Sequence, residues 1–131
     1  SNVFSLHKGK GNSVILVTSS VSGEGKTFCS LNLGASLNLV DKKVIVLEFD
    51  LRKPSLLKSL KMPKEKEGII EYLTNKNPDL DSLIKKHSSQ ENFWYMGAGT
   101  LVSNPAEIMS LPKLGDMINE LKSRFDYVII D

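Results

Sequence analysis

The sequence predicts an α/β fold in which a mainly parallel sheet is flanked by helices on both faces. Three observations carry that expectation. Short apolar runs at 14–17, 44–47 and 127–130 have the length and near-continuous hydrophobicity of strands buried on both sides. Apolar patterns of helical length, about 26–40 and 113–125, lie between them. The first run leads through small residues, Thr18-Ser19-Ser20-Val21-Ser22-Gly23-Glu24-Gly25, into Lys26-Thr27, which is the order strand, phosphate loop, helix.

The loop at 20–27 is chemically specific. Gly23 and Gly25 allow positive φ, so several backbone N–H groups can surround one anion. The free amides and dipole of the following helix favour phosphate at the same place. Lys26 then reaches the β- and γ-phosphates, and the Thr27 hydroxyl ligates magnesium. Ser20 stands where the usual G-x-x-x-x-G-K-[ST] pattern has its first glycine. The expected fold is therefore P-loop NTPase-like.

Composition narrows the class. A chain of 131 residues suffices for one domain that buries roughly two-thirds of its unfolded surface. With 40% hydrophobic and 24% charged residues, a soluble globular segment is expected. A net charge of +2, with lysines scattered along the chain, argues against a nucleic-acid partner. The lone Cys29 permits no internal disulfide or cysteine metal cluster and fits a reducing compartment. No run reaches membrane-spanning length, and no signal peptide is recognisable.

Residues 1–12 read as a lead-in, with Val3, Phe4 and Leu6 as the tail of a helix and His7 as a surface histidine. The helix at about 26–40 is apolar on more than one face, so it packs against the sheet and something else, with Cys29 in a packing role. Residues 41–43 turn into the strand at 44–47. Strand, helix and strand imply a right-handed parallel crossover, which brings both strand ends to one sheet edge. There stand Glu48 and Asp50, whose spacing of two predicts side chains on one side. Two carboxylates beside a triphosphate make sense as magnesium ligands, or as a base for an incoming hydroxyl.

Residues 61–67 read as a solvated loop, 68–73 and 80–84 as short helical patches, and His87 as surface in a polar loop. Phe93, Trp94, Tyr95 and Met96 form a short strand closed by Gly97-Ala98-Gly99. Asn104, Pro105 and Glu107 mark a helix start that Leu111-Pro112 ends. A longer helix at about 113–125 places Leu114, Met117, Ile118 and Leu121 in the core. The last strand ends in Asp131, as a Walker B element does, holding magnesium through water. Residues 1–131 thus form a single, partial domain, with truncation after the Walker B strand expected.

Together T-S-S-V-S-G-E-G-K-T (18–27), V-I-V-L-E-F-D-L-R-K-P (44–54), G-I-I-E-Y-L (68–73), G-A-G-T-L-V-S-N-P-A-E-I (97–108) and F-D-Y-V-I-I-D (125–131) resemble the kinase domain of bacterial tyrosine kinases. These are autokinases of capsular and exopolysaccharide export systems. The resemblance implies ATP and magnesium as cofactors, and catalytic roles for Lys26, Asp50, Glu48 and Asp131. It implies a nucleotide-contacting set of Ser20, Val21, Ser22, Gly23, Glu24, Gly25, Lys26, Thr27, Phe28 and Arg52. It places magnesium on Thr27, Asp50 and Asp131. Glu48 stands where the family usually has Asp, and Val102-Ser103 replaces a frequent Pro-Pro.

The family's arginine-bearing helix and tyrosine-rich tail are not in these residues, so the fragment alone is expected to be inactive. The resemblance further implies neighbouring kinase subunits, a transmembrane polysaccharide co-polymerase partner, and residence on the cytoplasmic side of the inner membrane. Two other readings stay open. One is a non-catalytic nucleotide-sensing regulator of chain length. The other is a partition or cell-division ATPase, which Val21 and Ser22 disfavour, because they occupy the K-G of that group's K-G-G-x-G-K-[ST].

Overall fold

The computed structural model describes the backbone of residues 2–8, 13–18, 24–63 and 65–131, and the side chains of 14, 15, 30–63 and 65–131. Within these residues the sheet has six strands: β1 (Asn2–Lys8), β2 (Ser13–Thr18), β3 (Val44–Leu47), β4 (Lys85–Lys86), β5 (Phe93–Met96) and β6 (Tyr127–Ile130). Their spatial order is β1-β2-β6-β3-β5-β4. The four central strands run parallel, while β1 and β4 pair antiparallel at the two edges.

Alternation along the strands explains the continuous apolar runs. Val44, Val46, Phe93, Tyr95 and Ile129 face one side, where Leu31, Leu33 and Leu37 of α1 (Glu24–Leu39) and Leu56 of α2 (Leu56–Ser59) cover them. Ile45, Leu47, Met96, Val128 and Ile130 face the other. There they meet residues of α3 (Ile69–Thr74), α4 (Leu80–Leu83), α5 (Pro105–Met109) and α6 (Lys113–Arg124), among them Ile69, Leu73, Ile108, Met117 and Leu121. Each strand position therefore loses water on one face or the other, so no polar alternation survives.

Several expectations change. Residues 2–8 form an edge strand rather than the tail of a helix, pairing with β2 with an irregularity between Ser5 and His7. Without β1, one row of β2 amides and carbonyls would be left unpaired, and that demand outweighs a four-residue helical hint. The strands β2 and β3 run parallel as expected, each paired with β6 between them. The short helix α2 and the two-residue β4 were not foreseen. His87 is half-buried at the surface, its ring 5.5 Å edge-on to Phe93. Asn104 occupies the cap position of α5 without a capping bond; its amide donates instead to Glu107 at 3.3 Å. No described helix is long and apolar enough to cross a membrane.

Candidate nucleotide and phosphoryl-transfer site

The C-terminal ends of β3, β5 and β6 meet at one sheet edge. Asp131 N–H donates to the Leu47 carbonyl at 2.9 Å, Phe49 N–H to the Asp131 carbonyl at 3.0 Å, and Glu48 N–H to the Met96 carbonyl at 3.0 Å. Parallel pairing of β2 with β6 brings the start of α1 to this edge. Glu24, Gly25, Lys26 and Thr27 thus stand in the first turn of a helix that opens at the acidic strand ends. Ser20, Val21, Ser22 and Gly23 lie outside the described residues, as do the side chains of Glu24, Lys26, Thr27, Phe28 and Cys29.

One helical turn beyond Thr27, the buried Ser30 hydroxyl donates to Asp131 Oδ1 at 2.9 Å. This bond ties the helix after the phosphate loop to the end of β6. Sequence reasoning passed over Ser30, although its spacing of three from Thr27 puts both on neighbouring faces of one helix. Asp131 itself is only 3% exposed.

Glu48 and Asp50 differ in burial and in the amides they accept. The strand β3 ends at Leu47, and the inter-strand N–H bonds of Glu48 and Phe49 carry the chain into the turn. Glu48 is 1% exposed. Its Oε1 accepts N–H bonds from Ser55 (2.6 Å) and Leu56 (3.1 Å), and its Oε2 accepts one from Asp50 (3.2 Å). The carboxylate therefore satisfies amides at the start of α2. Burial pushes its pKa up from 4.5 to about 7; the Leu56 and Ser55 amides oppose the rise, and the like charge of Asp131 adds to it. Asp50 is half-exposed and accepts the Lys53 N–H at 3.0 Å, closing a turn in which Arg52 is exposed.

A cleft of about 430 Å³ opens beside Glu48, bounded by α2 and by the loop after β5. Leu56, Leu57, Met62 and Leu101 make most of its wall apolar, while Lys58 and Glu65 stand among its lining residues.

Magnesium fits the donor chemistry of this edge. The carboxylates of Asp131 and Asp50 are hard oxygen ligands, and no group of three or more His, Cys, Asp or Glu forms a metal cage among the described residues. Magnesium bound by one or two carboxylates, with phosphate oxygens and water completing the shell, needs no such cage. Thr27, at the same edge, is the expected hydroxyl ligand.

The family profile of the AAA domain matches residues 12–131, from the residue before β2 to the residue after β6. The chain belongs to the AAA-domain family. Within this family its relatives bear out the resemblance to bacterial tyrosine kinases. The tyrosine-protein kinase CpsD of Streptococcus pneumoniae serotype 4 is 32% identical over 118 residues, which are 90% of this chain and 51% of CpsD. The kinase domain of the Escherichia coli tyrosine kinase ETK superposes with a TM-score of 0.82 at 26% identity, covering 92% of this chain and 46% of that one.

The septum site-determining protein MinD of Pyrococcus horikoshii, solved with Mg-ADP, shares the fold. It gives a TM-score of 0.73 at 24% identity over 90% of this chain and 47% of its own. The chain thus spans about half the length of CpsD. This AAA-family chain has the expected mostly parallel sheet with flanking helices.

Proposed function

We propose that this chain is the nucleotide-binding part of an ATP- and magnesium-dependent protein-tyrosine autokinase that regulates capsular or exopolysaccharide biosynthesis and export. The observation that carries the reading is the meeting of three sequence motifs at one sheet edge. The helix that follows the phosphate loop, the β6 end at Asp131 and the acidic turn after β3 all converge there. Relatives named as tyrosine kinases support the same chemistry.

In this reading the loop at 20–27 would hold the triphosphate, Lys26 would balance charge on the β- and γ-phosphates, and Thr27 and Asp131 would hold the cation, with Asp50 as a further ligand or as the base. Bound magnesium would neutralise charge that builds up on the phosphate oxygens. The tyrosine oxygen forms a bond to the γ-phosphorus as the bond to the β–γ bridging oxygen breaks, releasing ADP. The phenolic proton passes to a carboxylate. The half-exposed Asp50 suits that role better than Glu48, whose two oxygens already accept three amides. Catalysis then rests on positioning and charge neutralisation. The acceptor tyrosine, the neighbouring subunits, the transmembrane co-polymerase partner and the place at the inner membrane belong to the full-length protein.

The test is transfer of labelled phosphate from ATP to tyrosine in the full-length protein, wild type against Lys26→Ala. A loss of at least about 10²-fold is expected when a preorganised charge-stabilising group is removed. Equal labelling of the two proteins overturns the reading. Nucleotide binding by wild type without any phosphotyrosine points instead to the nucleotide-sensing regulator.

A further inference from the structure

The loop that walls the cleft is held by the carboxylate that also caps the start of α3. Glu71, in the first turn of α3, accepts the Gly68 N–H on Oε1 at 2.7 Å. The same carboxylate receives the Thr100 N–H, at 3.4 Å from Oε1 and 3.3 Å from Oε2. Two backbone bonds run alongside, Ile69 N–H to the Gly97 carbonyl and Ile70 N–H to the Ala98 carbonyl, each 3.0 Å. A further bond, from the Thr100 hydroxyl to the Lys66 carbonyl, is 3.3 Å.

The fit leaves no room for adjustment. Gly99 has φ +88°, and a Cβ there would lie 1.9 Å from Glu71 Oε1. The carboxylate and the loop backbone therefore touch where only glycine is possible.

What the loop does follows from its place. Gly97, Gly99 and Leu101 line the cleft, opposite α2 and next to Glu48. The phosphate loop follows β2, whereas the cleft lies past the ends of β3 and β5, two and three strands along the sheet. At about 4.8 Å per strand that is roughly 10–15 Å from β2, and the acidic turn with Asp50 leaves the end of β3. An apolar wall of Leu56, Leu57, Met62 and Leu101 suits an aromatic ring and offers little to a triphosphate.

We propose that Glu71 is a positioning residue for the acceptor side of the site: it pins the loop at 97–101 to α3, so that the cleft beside Glu48 keeps the shape that receives the acceptor ring. The inference rests on the kinase reading above. Glu71 touches neither nucleotide nor acceptor and acts through Thr100 and Gly99.

The experiment measures steady-state kinetics of the full-length protein with ATP and a synthetic Glu-Tyr copolymer, together with the Kd for ATP and the melting temperature. Glu71→Ala is expected to raise KM for the copolymer about tenfold, the scale of a misplaced binding wall. The Kd for ATP should stay within about twofold of wild type. Glu71→Gln keeps an oxygen acceptor and should recover most of the loss. Gly99→Ala displaces the carboxylate from the loop side and should reproduce Glu71→Ala.

An unchanged copolymer KM in Glu71→Ala overturns the inference. So does a parallel loss of ATP affinity and copolymer turnover that tracks the melting temperature, which is what a merely structural role produces. Should Glu71→Ala not fold, Gly99→Ala decides by the same readouts. Wild-type protein that binds ATP and labels neither itself nor the copolymer overturns the kinase reading instead, a result distinct from either Glu71 outcome.

Discussion

Ser30 and Asp131, 101 positions apart in sequence, are joined by a buried 2.9 Å hydrogen bond between the Ser30 hydroxyl and Asp131 Oδ1. It couples the helix that presents the phosphate loop to the strand that presents the acidic end. Hydrogen bonds to a charged group contribute about 1.5–3 kcal/mol. Ser30→Ala should lower unfolding stability by about that amount in urea titrations, and weaken magnesium-dependent nucleotide binding several-fold. Stability and affinity both at wild-type level would separate the two elements energetically.

Asp50→Asn keeps an oxygen for the Lys53 N–H and removes the charge. Phosphotransfer to tyrosine should fall by about 10²–10⁴-fold, the range for loss of a general base, while the turn and the melting temperature persist. A kcat close to wild type would move the proton to another group.

Glu48 gives a pH-dependent stability of defined sign. Its folded pKa, about 7, lies above the ordinary 4.5, so the folded protein holds this proton more tightly than the unfolded chain. The contribution is complete below pH 4.5 and is lost as pH rises through 7. Glu48→Gln removes the titration. Relative to that variant, the metal- and nucleotide-free wild type should lose up to about 3 kcal/mol across this window. Parallel stability–pH curves for the two proteins would contradict it.

Gly34 sits on α1 against the sheet, where a Cβ would lie 2.7 Å from the buried Phe93 ring. Alanine gains about 1 kcal/mol of helix propensity, but the ring has nowhere to go and overpacking costs about 1–3 kcal/mol. Gly34→Ala should therefore destabilise the protein by up to about 2 kcal/mol, read as a lower midpoint in urea.

Much of the fold was legible because both sheet faces are covered. Strand runs at 44–47, 93–96 and 127–130 are apolar throughout, and α6 shows its core stripe through Met117 and Leu121. The elements missed are short. The helix α2 spans four residues and β4 two, so each is fixed by neighbours rather than by its own period: Glu48 satisfies amides at the start of α2, and β5 pairs with Lys85 and Lys86. The edge strand β1 was missed because its sequence suits helix or strand, and the open edge of β2 decides between them.

The residue types at the sheet edge, and the nucleotide chemistry they point to, are readable from the sequence alone. A glycine-containing loop before Lys26-Thr27 and an apolar strand before Asp131 are the residue types that phosphate and magnesium would require in that order. Only the tertiary structure decided how the acidic residues divide their work. Glu48 and Asp50 are two apart in a chain that leaves its strand at Leu47. Whether a carboxylate faces a metal, an acceptor or a row of amides then depends on which backbone folds back over it. For Glu48 that is the start of α2. The role of Glu71 came from the same source: a bond to Thr100, 29 residues away, exists only once β5 and α3 lie side by side.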